Sequence, residues 1–337
     1  MNIRFISYAA LAVLAFSAVS CAKNPSADTY ESSKKVLEAW LRINYPDLLP
    51  SGRGIYVIDS VEGTGEALDD STYFAFTEYN VTDLEGNYIE STDDSINMRL
   101  GTFVQSDYYG AKVSVRNSGS LYAGVEDMLD MMRVGGYMKA LIPSWLLNTE
   151  QYDNIEDYYK DDPGGGHYIY EVWLVEATDD IYGWEKDTLE SYSRKYYNGL
   201  DSLKEGFYYK VLDAGTGDTI PKDSTIYIRY IGKLLNGHVF DTNIKDTAIK
   251  YGLYSTEKDY DTPAKIGLNS EVEQITLDGS SVVQGFAEAL YRIPENGEVV
   301  TFFWSQMGYG TNGSGNSIPP FSPLVFQITM VDYEEDE

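Results

Sequence analysis

Cysteine is almost absent from this chain. Cys21 is the only one among 337 residues. No intramolecular disulfide can therefore form, and stability has to come from core packing. Histidine is nearly as scarce. His167 and His238 are singletons in strand-like contexts, read as surface or edge residues, and no Ser-His-Asp or metal-ligand spacing surrounds them. We expect no metal and no cofactor. Positive charge is also short: 25 Lys and Arg stand against 53 Asp and Glu, a formal net charge of −28. That excludes nucleic acid as a partner, because its phosphate backbone would be repelled. Acidic runs such as Asp161-Asp162 and the C-terminal Glu334-Glu-Asp-Glu read as solvated. Long apolar runs are missing beyond the first twenty residues, so nothing else is long enough to span a bilayer. What is abundant is tyrosine, 30 residues, within an ordinary 23% of charged residues. This is globular composition rather than disorder.

Residues 1–20 read as a secretory signal. Arg4 supplies the positive start, and Phe5 to Val19 is an apolar core too short for a routine membrane span. Ala18-Val19-Ser20-Cys21 puts small residues directly before the single cysteine. This resembles a bacterial lipoprotein processing site, which implies lipidation of Cys21, a tether over 21–27, and a cell-envelope location with the chain held to the membrane by its lipid.

A helix is expected from Asp28 to Ile43, with Val36, Leu37, Trp40, Leu41 and Ile43 as its apolar face, a cap at Asp28 or Thr29, and Pro46 as its stop. The chain then repeats itself. Gly54-Ile-Tyr-Val-Ile-Asp parallels Gly206-Phe-Tyr-Tyr-Lys-Val, and Asp70-Ser-Thr before a strand parallels Asp223-Ser-Thr. Gly124-Val-Glu-Asp-Met parallels Gly285-Phe-Ala-Glu-Ala, and Tyr168 to Val175 parallels Leu324 to Met330. Asp187-Thr-Leu-Glu-Ser parallels Asp28-Thr-Tyr-Glu-Ser and opens a second helix reaching about Leu203. A period of about 150 residues is domain-sized and marks a tandem duplication rather than a solenoid. The expected units are 28–180 and 187–337, joined through Ala177 to Trp184.

The richest stretch is Ser281 to Phe326. Phe286, Leu290 and Ile293 recur at i, i+4, i+7 and line one face of a short helix. Pro294 and Gly297 end it. Val299 to Trp304 is β-branched and aromatic, a strand. The loop from Gly308 to Pro320 closes on Ile318-Pro-Pro, which pre-sets an extended backbone. Leu324 to Met330 is a final strand.

These motifs, with Tyr230-Ile-Gly-Lys-Leu and Gly237-His-Val-Phe240-Asp241 upstream, resemble an FKBP-type peptidyl-prolyl cis–trans isomerase over roughly residues 206 to 333. The resemblance implies an α+β fold for each copy: a bent antiparallel sheet wrapped on a short helix, with an added N-terminal helix. It implies rotation about the bond preceding proline in exported or unfolded polypeptide clients. Tyr230, Phe240, Val282, Val283, Phe286, Ile318 and Phe326 fall on the family's pocket positions, Tyr309 on the tyrosine whose hydroxyl donates to a substrate carbonyl, and Asp241 on the rim carboxylate.

There are departures. Phe286 stands where the family has Trp, and the strand before the helix is here Glu273 to Leu277, with a wall aromatic missing. Thr242 to Glu271 is longer than a minimal domain needs, long enough for a lid or partner-binding flap. The first copy keeps Tyr79 but has Ile89-Glu90 for Phe-Asp, and an acidic, tyrosine-rich loop (Gln151 to Gly166) in place of Tyr-Gly and Ile-Pro-Pro. It reads as a retained fold without the catalytic set, suited to docking chains, dimerising or spacing. A rival reading of the whole is a non-catalytic lipoprotein that binds peptide or glycan through both copies; the Tyr309 and Asp241 pair is the feature that pure binding would not require.

Overall fold

The computed structural model describes residues 25–334 except 71–72, 219, 222, 269–274 and 278–279. The signal segment, Cys21 and the start of the tether lie outside the described residues, as do Ser71, Thr72, Glu273 and Gln274. Two units follow one another. The first opens with helix α1 (Pro25–Asn44) and carries β1 (Tyr56–Val61), β2 (Phe74–Thr82), β3 (Tyr88–Ser91), α2 (Asp94–Leu100), β4 (Lys112–Val115), α3 (Ala123–Asp130), β5 (Tyr137–Ile142), α4 (Ile155–Lys160) and β6 (Tyr168–Thr178). The second opens with α5 (Ile181–Tyr197) and carries β7 (Phe207–Asp213), β8 (Thr225–Leu234), β9 (Val239–Thr242), α6 (Lys245–Lys250), β10 (Ala264–Gly267), β11 (Thr276–Leu277), β12 (Ser280–Ser281), α7 (Gln284–Leu290), β13 (Glu298–Phe303) and β14 (Leu324–Val331).

The duplication is visible in the pairing. The first sheet runs β1-β5-β6-β2, with β3 and β4 both on β2; the second runs β7-β13-β14-β8, with β9 and β10 both on β8. Every pairing is antiparallel. Tyr79 lies opposite Val172 on β6, and Tyr230 lies opposite Ile328 on β14. The two copies can thus be compared position by position.

The second sheet buries one face on its short helix and the other largely on its added N-terminal helix. In the second unit Phe207, Ile228, Phe286, Leu290, Phe303 and Ile328 share one core. On the opposite face Leu189 of α5 meets Tyr208, Val300, Phe302 and Val325. A sheet covered on both faces needs near-continuous apolar strands, and this is why β13 and β14 read Val-Val-Thr-Phe-Phe and Leu-Val-Phe. In the first unit Leu37 and Leu41 of α1 join the core of Met128, Leu129, Leu141 and Val172.

Helix starts differ from expectation. α1 begins at Pro25, so Asp28 and Thr29 are inside it and not its cap. α5 begins at Ile181, six residues before Asp187, and ends at Tyr197 with Asn198 left-handed. The side chain of Asp180 caps it by accepting from the Gly183 N–H at 2.9 Å. What reads as an eight-residue linker is therefore a two-residue turn, Asp179-Asp180, followed at once by helix.

The turn after β5 and the turn after β13 are tied down in the same way. Ser144 opens the first 3-10 turn and Ser305 the second. The Ser305 N–H and hydroxyl both donate to the fully buried carboxylate of Glu185 on α5, each at 2.6 Å. The Ser144 N–H donates to His167 Nδ1 at 3.0 Å, and its hydroxyl to Asp162 at 3.2 Å. With Nδ1 accepting, the His167 proton sits on Nε2, which reaches the Ser33 carbonyl of α1 at 2.8 Å. His167 and Asp162 are thus buried structural groups, 3% and 6% exposed, where a surface histidine and a solvated acid were expected. His238 is half-buried under the Tyr108 ring, 5.8 Å between centroids.

Burial pushes the Glu185 carboxyl up to about 7, against the lowering effect of its Ser305 bonds. A carboxyl whose folded value lies above its ordinary one favours the native state below about pH 4.5, and that advantage is lost as pH rises through about 7. Urea midpoints should therefore fall between pH 5 and 8, by an amount worth about 3 kcal/mol at most, and Glu185→Gln should flatten that slope. An unchanged slope in the variant would show that Glu185 does not titrate in this window.

Candidate active site

The sheet and α7 place a small cleft in the second unit. Its volume is about 180 Å³, and it is lined by Tyr230, Asp241, Leu277, Ser280, Ser281, Val282, Val283, Phe286, Tyr309 and Phe326. That is below the roughly 300–1,000 Å³ of sites for drug-sized ligands, and suits a single ring. Clefts of about 480 Å³ beside α1 and about 600 Å³ beside α5 are larger, but they are lined mainly by polar residues.

The floor is aromatic. The Phe286 ring meets Phe326 edge-on at 4.9 Å and Tyr230 at 5.5 Å, and Phe326 meets Phe240 at 5.6 Å. Such edge contacts add about 0.5–1.5 kcal/mol each beyond burial. Val283 is the N-cap residue of α7 and Val282 precedes it, so the chain enters the helix at the lip of the cleft. Gly232 makes the floor possible. It lies opposite Phe326 in the β8–β14 ladder, and a Cβ there would come within 2.7–2.9 Å of the Phe240 and Phe326 rings.

The rim is polar. The Tyr230 hydroxyl donates to Asp241 Oδ2 at 2.7 Å, and Lys258 Nζ donates to Asp241 Oδ1 at 3.0 Å and to the Thr242 carbonyl at 2.9 Å. Tyr309 is 38% exposed at the opening. Burial and the Asp241 charge push its hydroxyl above the ordinary tyrosine value, so it stays protonated and remains a donor at neutral pH.

Seven of the nine sequence-predicted residues, Tyr230, Asp241, Val282, Val283, Phe286, Tyr309 and Phe326, line this cleft together. Phe240 and Ile318 do not. They are 9% and 3% exposed and sit behind it in the core. Leu277, Ser280 and Ser281 line it without having been singled out, and Lys258 reaches the rim through its bond to Asp241. Lys258 comes from the long insertion, which is packed down rather than free. α6 and β10 lie within it, Tyr254 stacks on Tyr260, and Arg229 holds it by donating to the Asn243, Tyr260 and Asp261 carbonyls at 2.7–2.9 Å.

The first unit keeps the rim pair but not the cup. Tyr79 donates to Glu90 at 2.5 Å, as Tyr230 does to Asp241. Val81 holds the register position of Gly232, however, and Tyr170 that of Phe326. The first unit has neither the glycine gap nor the apolar ring.

The glycine gap is open to a direct test. Gly232→Ala should displace Phe240 or Phe326 and cost about 1–3 kcal/mol of stability, the usual range for overpacking a filled core. It should also weaken binding of a proline-containing peptide by more than the stability loss explains. Unchanged peptide binding, measured by calorimetry, would separate the cup from this packing.

Residues 217–331 match the family model of FKBP-type peptidyl-prolyl cis-trans isomerases. A probable FKBP-type peptidyl-prolyl cis-trans isomerase of Haemophilus influenzae is 28% identical over 149 residues, 44% of this chain and 52% of its own length. The FKBP-type 22 kDa isomerase of Escherichia coli is 27% identical over 144 residues, covering 43% and 57%. The outer membrane protein MIP of Legionella longbeachae is 31% identical over 137 residues, covering 41% and 48%. The chain spans about half the length of these curated relatives. Over residues 217–331, the chain is similar to the FKBP-type peptidyl-prolyl cis–trans isomerase family.

Proposed function

We propose that the second unit, residues 206–333, catalyses cis–trans isomerisation of X-Pro bonds in exported or unfolded polypeptides, and that the first unit does not. The observation that carries this is the aromatic cleft floored by Phe286 and Phe326 with Tyr309 and Asp241 at its opening. The uncatalysed barrier is about 18–20 kcal/mol because amide resonance gives the C–N bond double-bond character. Rotation destroys that resonance, so the twisted amide is less polar than the planar one. A site lowers the barrier by holding the twisted form better. A dry cup for the ring and a donor for a neighbouring carbonyl are enough. Phe286, Phe326, Val282 and Val283 supply the cup, Tyr309 supplies the donor, and Phe240 and Ile318 support the cup from behind. No nucleophile, metal or general base is required.

The location is part of the same proposal. Cys21 becomes the lipidated first residue of a chain anchored at the bacterial envelope, and the tether expected over 21–27 is shortened by α1, which starts at Pro25. A relative that is named an outer membrane protein supports an envelope setting. No helix among the described residues is long and apolar enough to cross a membrane. Several acyl chains hold firmly where one would not. Cys21→Ser should move the processed protein from the membrane fraction to the soluble one. Retention of processed variant in the membrane would remove the anchor from the proposal.

In a protease-free X-Pro peptide assay, Phe286→Ala should lose about 1.5–3 kcal/mol of proline contact. Tyr309→Phe loses one neutral hydrogen bond of about 0.5–1.5 kcal/mol, so roughly tenfold or less in rate. Tyr79→Phe, the matching change in the first unit, should leave the rate unchanged. The rate should be flat across neutral pH, since Tyr309 stays protonated. A bell-shaped profile near neutrality, or complete loss on Tyr309→Phe with the fold intact, would mean a different mechanism. No acceleration by the wild-type chain would favour the non-catalytic peptide- or glycan-binding reading.

A further inference from the structure

The loop that carries Tyr309 and Ile318 contains one strained residue. Phe321, directly after Ile318-Pro-Pro, has a backbone φ of +55°. For an L residue with a side chain, that region is disfavoured by roughly five- to thirtyfold. A bulky aromatic is held there only when its surroundings over-determine it. Phe321 also closes the loop: its N–H donates to the Gly310 carbonyl at 2.9 Å, one residue beyond Tyr309.

The surroundings that hold Phe321 come largely from outside its own unit. The ring is 6% exposed and shares a small apolar cluster with Phe76 of β2 and Ile181 of α5, while Phe74 at the start of β2 meets it edge-on at 5.2 Å. Two further ties reach the loop from the first unit. The Tyr108 N–H donates to the Asn316 carbonyl at 2.9 Å, and the Asn316 amide donates to Asp107 at 3.2 Å. Nearby, Gln105 donates to the Lys250 carbonyl at the end of α6 at 2.7 Å. The far end of the loop is fixed by α5, through the Glu185 bonds to Ser305, whose own carbonyl accepts from Gly308 and Gly310. No contact of this kind would be needed if the first unit were a spacer.

We infer that the first unit is a working part of the second unit's site: Phe74 and Phe76 clamp Phe321 in its left-handed backbone, and with Tyr108 they hold the loop that presents Tyr309. Phe74, Tyr108 and Phe321 are positioning residues. None lines the cleft. The catalytic consequence rests on the isomerase reading above; the clamp itself does not.

A loop that is only fractionally in its competent form raises the apparent dissociation constant by the inverse of that fraction, and saturating substrate restores it. Loss of the clamp should therefore raise KM and spare kcat. In the full chain, Phe321→Ala removes the clamped ring but keeps a Cβ in the strained region. Its KM for an X-Pro peptide should rise about fivefold or more, with kcat within about twofold. Phe321→Gly removes still more side chain but adopts positive φ without cost, so it should be less impaired than Phe321→Ala. A residue that acted by packing alone would give the opposite order. Phe74→Ala should reproduce the Phe321→Ala phenotype and lose most of its effect in a Phe321→Gly background.

Hydrogen exchange of the Phe321 amide gives a readout independent of catalysis. It should be protected in the wild-type chain, fast in Phe74→Ala and in Phe321→Ala. If Phe74→Ala does not fold, Phe74→Leu and the two Phe321 variants still decide the matter. A Phe321→Gly chain as impaired as Phe321→Ala or more so, or an amide equally protected with and without Phe74, overturns the inference. A wild-type chain with no isomerase activity but with the expected exchange pattern would overturn the functional reading and leave the clamp standing.

Discussion

The register of β14 between β8 and β13 is the constraint on which the site depends. Phe326 faces Gly232 on one side and Thr301 on the other. A slip of one residue would send Phe326 to the opposite face of the sheet and bring Val325 into the cleft. Register is strongly specified here because both faces are buried. Leu324, Phe326 and Ile328 belong to the core under α7, while Val325 belongs to the core under α5. The added helix α5 is therefore part of what sets the cup, although it never touches it. With the strand fixed, Gly232 is the only kind of residue that leaves room for two rings to meet above β8.

Duplication separates what the fold needs from what the cup needs. Both copies keep the strand order, the short helix, the helix added at the N-terminus, and a serine, after the strand that follows the short helix, held by buried acceptors. Both keep a tyrosine bonded to a carboxylate across the hairpin. These features support the sheet and its turns. Val81 and Tyr170 replace Gly232 and Phe326 at matched register positions, and those are the positions where an apolar cleft has to be open. The first copy thus lacks the cup while it has the same framework. Its α2-to-β4 loop, which carries Gln105, Asp107 and Tyr108, came to rest on the second copy instead.

The parts of this structure governed by local pattern were legible in the sequence. β14 and α7 follow from apolar periodicity and turn chemistry, and most cleft residues from the family resemblance that the spaced motifs carry. What was hidden depends on partners distant in the chain. The Gly183 and Trp184 region looks like a linker because Tyr, Gly and Trp carry no helical signal, yet Asp180 caps it and Glu185 within it meets Ser305, 120 residues on. His167 and Asp162 look like surface residues because their acceptor and donor roles depend on Ser144 and Ser33. Phe240 and Ile318 were placed in the cleft with their neighbours, but alternation and loop closure turn them into the core behind it. The insertion reads as a flap because its ties run from one arginine, Arg229, to three backbone carbonyls, and no sequence pattern reports such bonds.

The rim shows how charge is used in a chain with so much negative charge. Both oxygens of Asp241 are engaged, one by Tyr230 and one by Lys258. The carboxylate is half exposed, so each bond is screened and modest in energy; their joint effect is to fix the position of the charge. A fixed negative charge beside Tyr309 disfavours loss of the Tyr309 proton. A rotation that transfers no proton needs a donor that does not titrate, set beside an apolar cup. Lys258 Nζ, bonded to Asp241 Oδ1, offsets that charge at the mouth of the cleft.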